Sequence, residues 1–578
     1  MPSGGRASRT YTFLAVALVA AFLIQSLGAS LQKSAAFDEP GHIAAGLSYL
    51  STGAFYLNPQ HPPLLKELSA LSLLLAGVRY LRTPEAGQWA RSAAHPPMAE
   101  ISIGYSVVAS NGPERVMFWA RLPLILLSGL MGWLIFIWGR ELLGAPAALA
   151  ALFLYSFDPN ILAHSYLVTT DSGMAAFTVL FLFTLWRYVQ EPSGWRLVAC
   201  GAALGAVLAT KFSALALLPI AGLLLVAGMW PRAESKQRMA EVPPNSPCPC
   251  GSGKRYRRCH GAREPRRASG GFWSNLTGAL QRSAIPYLSM LGIAAAVIEI
   301  FYGFSNGPVL YFGGLSMVNT DHAADYRYYL HGTAGDRSPL YFVVAYLVKE
   351  PLAAIALAAI GAVILFRNTE IPVVRKLFIL LPGVLLFLVY ALAADPVGIR
   401  YIIPVLPFAF LAGGVALAAL AQARSTGERI AAAVLVLWVV VAAAGIFPDH
   451  LSYFNEIACA GNPGRIGLDG GSRCGPLWLD DSNVDWGQGL KQLHAWLQAH
   501  PPDQPVRLYY FGSQPPKTYG IDSENRDIRE LLEDPSPGVY VVSAHYVARG
   551  PAFGASWLRD RPPDAIVGHA FYVYDVKR

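Results

Sequence analysis

The chain has 578 residues, 54% of them hydrophobic and 14% charged, where a soluble protein of this length carries roughly a quarter charged residues. That excludes an ordinary soluble enzyme and leaves a chain built for a bilayer, whose hydrocarbon core takes about 20 apolar residues to cross. The formal net charge of +8 does not point to nucleic acid, because the basic residues gather in one loop beside apolar runs and read there as a topology signal.

In chain order, Tyr11 to Ser30 is the first apolar run, preceded by Arg6 and Arg9. No clear small-residue cleavage site follows it, so it reads as a retained helix. The chain then leaves the membrane through Phe37-Asp38-Glu39-Pro40-Gly41-His42. Carboxylates at a membrane boundary are costly if buried and often functional. The bland alternative is a helix cap, since Pro40 suits a first turn. Further on, His61-Pro62-Pro63-Leu64-Leu65-Lys66 gives an extended entry to an amphipathic segment, with Lys66 readable as a snorkelling anchor.

Candidate spans follow at 115–138, 145–159, 171–190, 195–211 and 213–230. After a polar gap come 284–304, 340–366, 376–394, 402–421 and 430–447. With the first run this makes about eleven. The gap 231–283 holds eleven Lys and Arg against three Glu, which places it in the cytoplasm. Counting back puts the N-terminus there too, as Arg6 and Arg9 suggest, and counting forward puts 448–578 outside. The expected architecture is an α-helical polytopic membrane protein in the plasma (inner) membrane. Residues 1–447 form the membrane module, with a large outer loop at 31–114. Residues 448–578 form a small extracytoplasmic α/β domain.

Inside the gap stands Pro247-Cys248-Pro249-Cys250-Gly251-Ser252-Gly253, followed by Cys259-His260-Gly261. Three Cys and one His make a complete tetrahedral zinc set, and a reducing compartment disfavours disulfides. The segment 247–261 closely resembles the SEC-C motif. By that likeness the zinc ligands are Cys248, Cys250, Cys259 and His260, and the insert is a docking site for a cytoplasmic partner. Cys459 and Cys474 lie on the outer side, where a disulfide between them is open.

The outer loop 305–339 is aromatic and polar, with Tyr311, Phe312, His322, Asp325, Tyr326, Tyr328, Tyr329 and His331. It reads as a sugar-stacking cover or as an interfacial aromatic belt. In the C-terminal region Gly487 to Ala499 reads as a helix. Val506 to Phe511, Val539 to Ser543 and Ala570 to Val576 read as strands. The polar run Leu479 to Leu490 ahead of the helix suits both capping, by Ser482 or Asn483, and carbohydrate binding.

Taken together, Asp38-Glu39 with His42, His61-Pro62-Pro63-Leu64 with Lys66, Arg121-Leu122-Pro123, Thr170-Asp171-Ser172, Thr210-Lys211-Phe212 and Arg400-Tyr401-Ile402-Ile403-Pro404 resemble the protein O-mannosyltransferases. More loosely they resemble the bacterial lipid A aminoarabinose transferases. The likeness covers roughly residues 10–450. It implies a C-type glycosyltransferase fold (GT-C) and a polyprenyl-phosphate-linked sugar as donor, within the membrane lipid.

Transfer from such a donor passes through an oxocarbenium-like state and releases an anionic phosphate, which needs Arg or Lys, while a carboxylate takes the acceptor's proton. The resemblance implies Asp38 as that base, with inversion at the anomeric carbon. Glu39 stands beside it in the catalytic pair. His61, Lys66, Arg121, Lys211 and Arg400 are the candidates for the donor and its phosphate, and Asp171 and His331 for positioning acceptor or sugar. Two readings of other classes stand beside this one. A transporter or flippase explains the spans, though no internal repeat is visible. A scaffold that recruits a partner through the zinc loop explains the insert.

Overall fold

The computed structural model describes residues 3–80, 87–89, 98–231, 246, 271–320, 327–523 and 525–577. Among them seven helices are long and apolar enough to cross a membrane: Arg9–Gln32, Pro113–Leu143, Asp171–Gln190, Phe272–Phe301, Val373–Ala393, Ile399–Ala421 and Thr426–Ile446.

The expected span 340–366 is instead two helices, Tyr341–Lys349 and Leu352–Arg367, bent by 113° at their junction. Pro351 sits at that junction, where its missing N–H and ring break the hydrogen-bond ladder. The expected spans 145–159, 195–211 and 213–230 are the shorter helices Ala145–Ser156, Gly194–Leu208 and Phe212–Gly228. At about 1.5 Å per residue these fall short of a core about 30 Å thick. Apolar helices thus stand at the expected runs, and among the described residues seven, or eight with the bent pair, have full spanning length. Gly307–Thr320 is a helix in a stretch expected to be loop.

The segment between the first two spans folds into a helical cluster. Glu39–Thr52, Leu64–Leu75 and Ala99–Asn111 share a core of Ile43, Leu47, Leu73, Ile103 and Val107. Gly104 lets two of these helices touch backbone to backbone: a Cβ there would stand 2.0 Å from the Pro40 carbonyl oxygen. That contact fixes the start of the Glu39–Thr52 helix, and with it Asp38.

The C-terminal region is α/β as expected, though its first helix is Leu490–Ala499, starting three residues later than read. Strands Val506–Tyr509 (β3), Gly538–Ser543 (β4), Ala565–Val567 (β5) and Phe571–Val576 (β6) form a sheet in the order β3-β4-β6-β5, with β3 and β4 parallel and the other pairs antiparallel. A two-stranded hairpin, Tyr328–Leu330 (β1) and Thr333–Gly335 (β2), lies outside it. Leu490 and Leu493 pack on Leu508, Val541, Phe571 and Val573. Cys459 and Cys474 are joined as a disulfide.

The run Leu479–Leu490 does not cap the helix. It docks on the membrane module: the amides of Ser34 and Phe37 donate to the carbonyls of Gln488 (3.0 Å) and Trp486 (2.7 Å). Lys349 Nζ donates to the carbonyls of Leu451 (2.7 Å) and Asn483 (2.6 Å). A buried ammonium satisfied by carbonyls is an expensive arrangement to disturb, so this joint is a firm one.

Candidate functional site

Asp38 stands at the N-cap of the Glu39–Thr52 helix, but its side chain makes no capping hydrogen bond. It turns instead to Arg400, whose Nη1 donates to Asp38 Oδ2 at 3.2 Å. The Asp38 side chain keeps 31% of its surface exposed, and among the described residues no hydrogen bond reaches its Oδ1. Burial raises its pKa, with Arg400 opposing and Asp171 adding to the rise. The carboxylate is thus a partly open base with one free oxygen.

Arg400 lies in the 3-10 turn Ile399–Val405. Its guanidinium stacks over the Trp486 ring at 4.2 Å and stands 5.5 Å from the centre of Tyr401, and its Nε has no partner. Tyr401 carries the row onward: Lys211 Nζ sits over its ring at 4.2 Å and pairs with Asp171 Oδ1 at 2.6 Å. Asp38, Arg400, Lys211 and Asp171 therefore form one continuous line. Ammonium and guanidinium groups over aromatic faces are stabilised without using up their donors, which leaves N–H groups free for an anion.

His61 and Lys211 also line a cavity of about 520 Å³, whose other walls include Phe212, Leu215, Leu315 and Val389. Its lining is mixed: Gln60, Ser213, Asp395 and Tyr401 stand beside His61 and Lys211 among the apolar walls. The His61 ring lies 5.0 Å from that of His42. Burial holds both imidazoles well below the usual histidine range, with the neighbouring Lys66 charge adding to it, so both are neutral at pH 7.

Four of the expected site residues are placed otherwise. Glu39 is fully buried; its carboxylate takes Arg121 Nε at 2.9 Å and Nη2 at 2.5 Å, and the amides of Ala36 and Val168 at 2.8 and 3.0 Å. Arg121, equally buried, gives its remaining donors to the carbonyls of Ser30, Lys33 and Ser34. Neither has a group left for acceptor or phosphate. Together they pin the end of the first span to the start of the next helix.

Lys66 is buried beneath the carbonyls of His61 (2.6 Å) and Asn58 (2.8 Å) and the Tyr49 hydroxyl (2.9 Å), which engage its three donors. Burial pushes it down to about 7, with Glu67 and Glu100 opposing. His331 rests on Trp478, ring centres 4.3 Å apart, and among the described residues no hydrogen bond or ring contact joins it to Asp38, Arg400, Lys211 or Asp171. The zinc set Cys248, Cys250, Cys259 and His260 lies outside the described residues, as do His322, Asp325 and Tyr326. Among the described residues no group of three or more His, Cys, Asp or Glu is arranged to hold a metal ion.

Trp486, expected only as part of a polar run suited to sugar binding, and Tyr401, expected only as a neighbour in the Arg400 motif, turn out to be the two rings under the cations, and His164 was not expected at the site. The last is buried beside the line, with Nδ1 unpartnered. Burial pushes it down to about 3, with Asp171 opposing. Tyr401 adjoins Arg400 and was within reach; Trp486 lies in a polar run that carried no sign of its partner.

A profile described as dolichyl-phosphate-mannose-protein mannosyltransferase matches residues 94–241, and the SEC-C motif matches residues 245–262. A 34-residue stretch, 5% of this chain and 4% of the relative, is 62% identical to protein translocase subunit SecA of Methylibium petroleiphilum; the chain thus spans a small fraction of that relative's length. Among solved structures, ArnT of Cupriavidus metallidurans bound to undecaprenyl phosphate is similar at 15% identity and TM-score 0.45, over 94% of this chain and 95% of ArnT. The oligosaccharyltransferase AglB of Archaeoglobus fulgidus, in complex with an inhibitory peptide and a dolichol-phosphate, is similar at 12% identity and TM-score 0.41, over 84% of this chain and 58% of AglB. The chain resembles the membrane glycosyltransferases of the protein O-mannosyltransferase group through residues 94–241, and it carries a SEC-C motif directly after that stretch.

Proposed function

We propose that the protein is an inverting glycosyltransferase that moves a hexose from a polyprenyl-phosphate carrier to an acceptor hydroxyl on the outer face of the membrane. The observation that carries this reading is the cavity lined by Lys211, His61 and Tyr401, joined through Tyr401 and Arg400 to the open carboxylate of Asp38. An isoprenoid chain suits the apolar walls, and its phosphate suits the free donors of Lys211 and Arg400.

In the step itself Asp38 Oδ1 takes the proton of the acceptor hydroxyl, and the acceptor oxygen bonds to the anomeric carbon. The bond from that carbon to the phosphate oxygen breaks, and its electron pair leaves with the phosphate as anionic polyprenyl phosphate. Arg400 and Lys211 stabilise the charge that develops there. Direct attack by a single activated acceptor inverts the anomeric centre. Arg400 holds Asp38 in place before the donor arrives and turns toward the phosphate afterwards. The SEC-C segment holds a structural zinc through Cys248, Cys250, Cys259 and His260 and presents a docking point to a cytoplasmic protein. Its resemblance to a stretch of SecA supports this.

The test is sugar release from a panel of radiolabelled polyprenyl-phosphate hexoses in proteoliposomes, wild type against Asp38→Asn. Turnover of one donor that the substitution abolishes is expected. Full turnover by folded Asp38→Asn sinks the mechanism.

A further inference from the structure

Most polar side chains in the run Leu479–Leu490 have a settled partner. Asp480 pairs with Arg549 at 2.8 Å. Ser482 donates to the Val397 carbonyl at 2.8 Å, and Asn483 accepts the Ile399 amide at 3.0 Å. Asp485 accepts from the Gly487 amide and the Ser543 hydroxyl. The fit is close: a Cβ on Gly398 would stand 2.2 Å from Ser482 Oγ.

Asp481 is different. Its Oδ1 accepts only the amide of Ser482, at 2.6 Å, and among the described residues no hydrogen bond reaches Oδ2. Its backbone is in the left-handed region, φ 53°, which non-glycine residues adopt only when the surroundings hold them there. What holds it is His545, whose Nδ1 accepts the Asp481 N–H at 3.0 Å. The His545 ring stacks on Phe511 at 3.8 Å, and Phe511 stacks on Phe37 at 5.5 Å, next to Asp38. With 482 and 483 paired to 397 and 399, residue 481 is set beside Arg400. The charges that act on its carboxylate most are Arg400 and then Asp38. Asp38 pairs with Arg400 at 3.2 Å. Asp481, with no ion pair to Arg400 among the described residues, lies in the turn Asp481–Asn483 that packs against the Ile399–Val405 turn. Two carboxylates far apart in sequence therefore stand near the guanidinium that rests on Trp486.

We propose that Asp481 is an acceptor-binding residue: its free oxygen receives a hydrogen bond from an uncharged, hydroxyl-bearing acceptor seated over Arg400 and Trp486, opposite Asp38. This rests on the transferase reading above and adds the acceptor's chemistry to it. The donor phosphate claims the cations, so the acceptor faces two carboxylates. An acceptor with its own phosphate next to the reacting hydroxyl meets like charge there and is rejected. Hydroxyls of a protein and of a neutral glycan share the chemistry that fits.

The full-length protein in detergent micelles is given undecaprenyl-phosphate hexose and three acceptor probes. These are an uncharged Ser/Thr peptide amide, a neutral alkyl maltoside, and a peptide with a phosphoserine beside the acceptor hydroxyl. Wild type is expected to use a neutral probe, peptide or maltoside showing which source applies, and not the phosphopeptide. Asp481→Asn is expected to raise the acceptor KM about tenfold or more, with a smaller change in kcat and with undecaprenyl-phosphate binding unchanged or tighter. Asp481→Glu should recover part of the loss. A wild-type KM in Asp481→Asn, a loss of undecaprenyl-phosphate binding in it, or a preference for the phosphopeptide overturns the proposal. Wild type that binds undecaprenyl phosphate yet uses no neutral probe overturns the acceptor assignment alone. Wild type that binds none overturns the donor reading beneath it.

Discussion

Arg121 grips Glu39 through two parallel hydrogen bonds, Nε to Oε1 at 2.9 Å and Nη2 to Oε2 at 2.5 Å, with both side chains fully buried. Breaking such a pair by removing one partner strands a charge and costs about 3–5 kcal/mol. Arg121→Ala and Glu39→Ala are each expected to lower the thermal unfolding midpoint of the detergent-extracted protein by several degrees. A midpoint equal to wild type in either variant contradicts the structural role.

Adjacent Asp38 should behave in the opposite way. Asp38→Asn keeps the unfolding midpoint and undecaprenyl-phosphate affinity near wild type while transfer drops by about 10²–10⁴-fold, the usual worth of a general base. Because burial raises the Asp38 pKa and the base works only when ionised, the rate in wild type rises with pH through that raised value and is lost on the acid side. A rate that does not fall as the pH is lowered would argue against Asp38 as the base.

Lys211 and Lys66 give the same sequence signal, a lone cation at an apolar boundary, yet only Lys211 lines the cavity with free donors. Lys211→Met is expected to weaken undecaprenyl-phosphate binding about 10–100-fold, the range for losing a charged hydrogen bond. Lys66→Met leaves that affinity within about twofold and lowers thermal stability instead. Equal losses of affinity in the two variants would mean that Lys66 reaches the phosphate after all.

A joint below the sheet predicts a pH dependence. Lys33, just past the first span, pairs with Asp449, just past the last. His569, in the turn before β6, offers Nδ1 to Asp449 at 2.8 Å and Nε2 to Asp469 at 3.1 Å. Hydrogen bonds to both carboxylates outweigh burial and raise His569 to about 9. A histidine raised in the folded state contributes in full below its unfolded value of about 6.5, and its contribution is lost as pH rises toward 9. Asp469 and Asp449 are depressed, chiefly by His569 and Lys33 respectively, so their contribution is present above about 4 and lost below it. Limited proteolysis of the C-terminal region should therefore be slowest between about pH 4 and 6.5 and speed up toward pH 9. His569→Gln should flatten the alkaline limb.

The SEC-C segment is testable by metal content alone. The purified chain is expected to carry about one zinc per molecule, and the Cys248→Ser, Cys250→Ser double variant to carry none while retaining sugar transfer. Wild type without zinc removes the metal from the reading.

Charged residues at the ends of apolar runs pointed to Asp38, His61, Lys66, Asp171, Lys211 and Arg400, because an apolar chain has few places where charge is tolerated; of these, Asp38, Asp171, Lys211 and Arg400 fall on one line. They did not say which way each side chain points. Asp38 and Glu39 are neighbours at a helix start, where successive side chains project about 100° apart. That rotation sends one to Arg400 and the other to Arg121. The partner of Trp486 was illegible for a different reason: it is Arg400, and a contact between residues so far apart in sequence leaves no local pattern. The bend at Pro351 was written in the proline, but an apolar run on both sides disguised it as one span.

The docking of Trp486 on Arg400 and of its carbonyl on the Phe37 amide also sets an order of events during synthesis. Asp38 leaves the ribosome before Trp486, which follows the Thr426–Ile446 helix, so the two sides of the site cannot meet until the chain has been made past residue 486. Long-range contacts of this kind form late. A nascent or truncated chain has its base but neither the ring beneath Arg400 nor the neighbouring Asp481. The proposed arrangement thus arises only after the Thr426–Ile446 helix has been made.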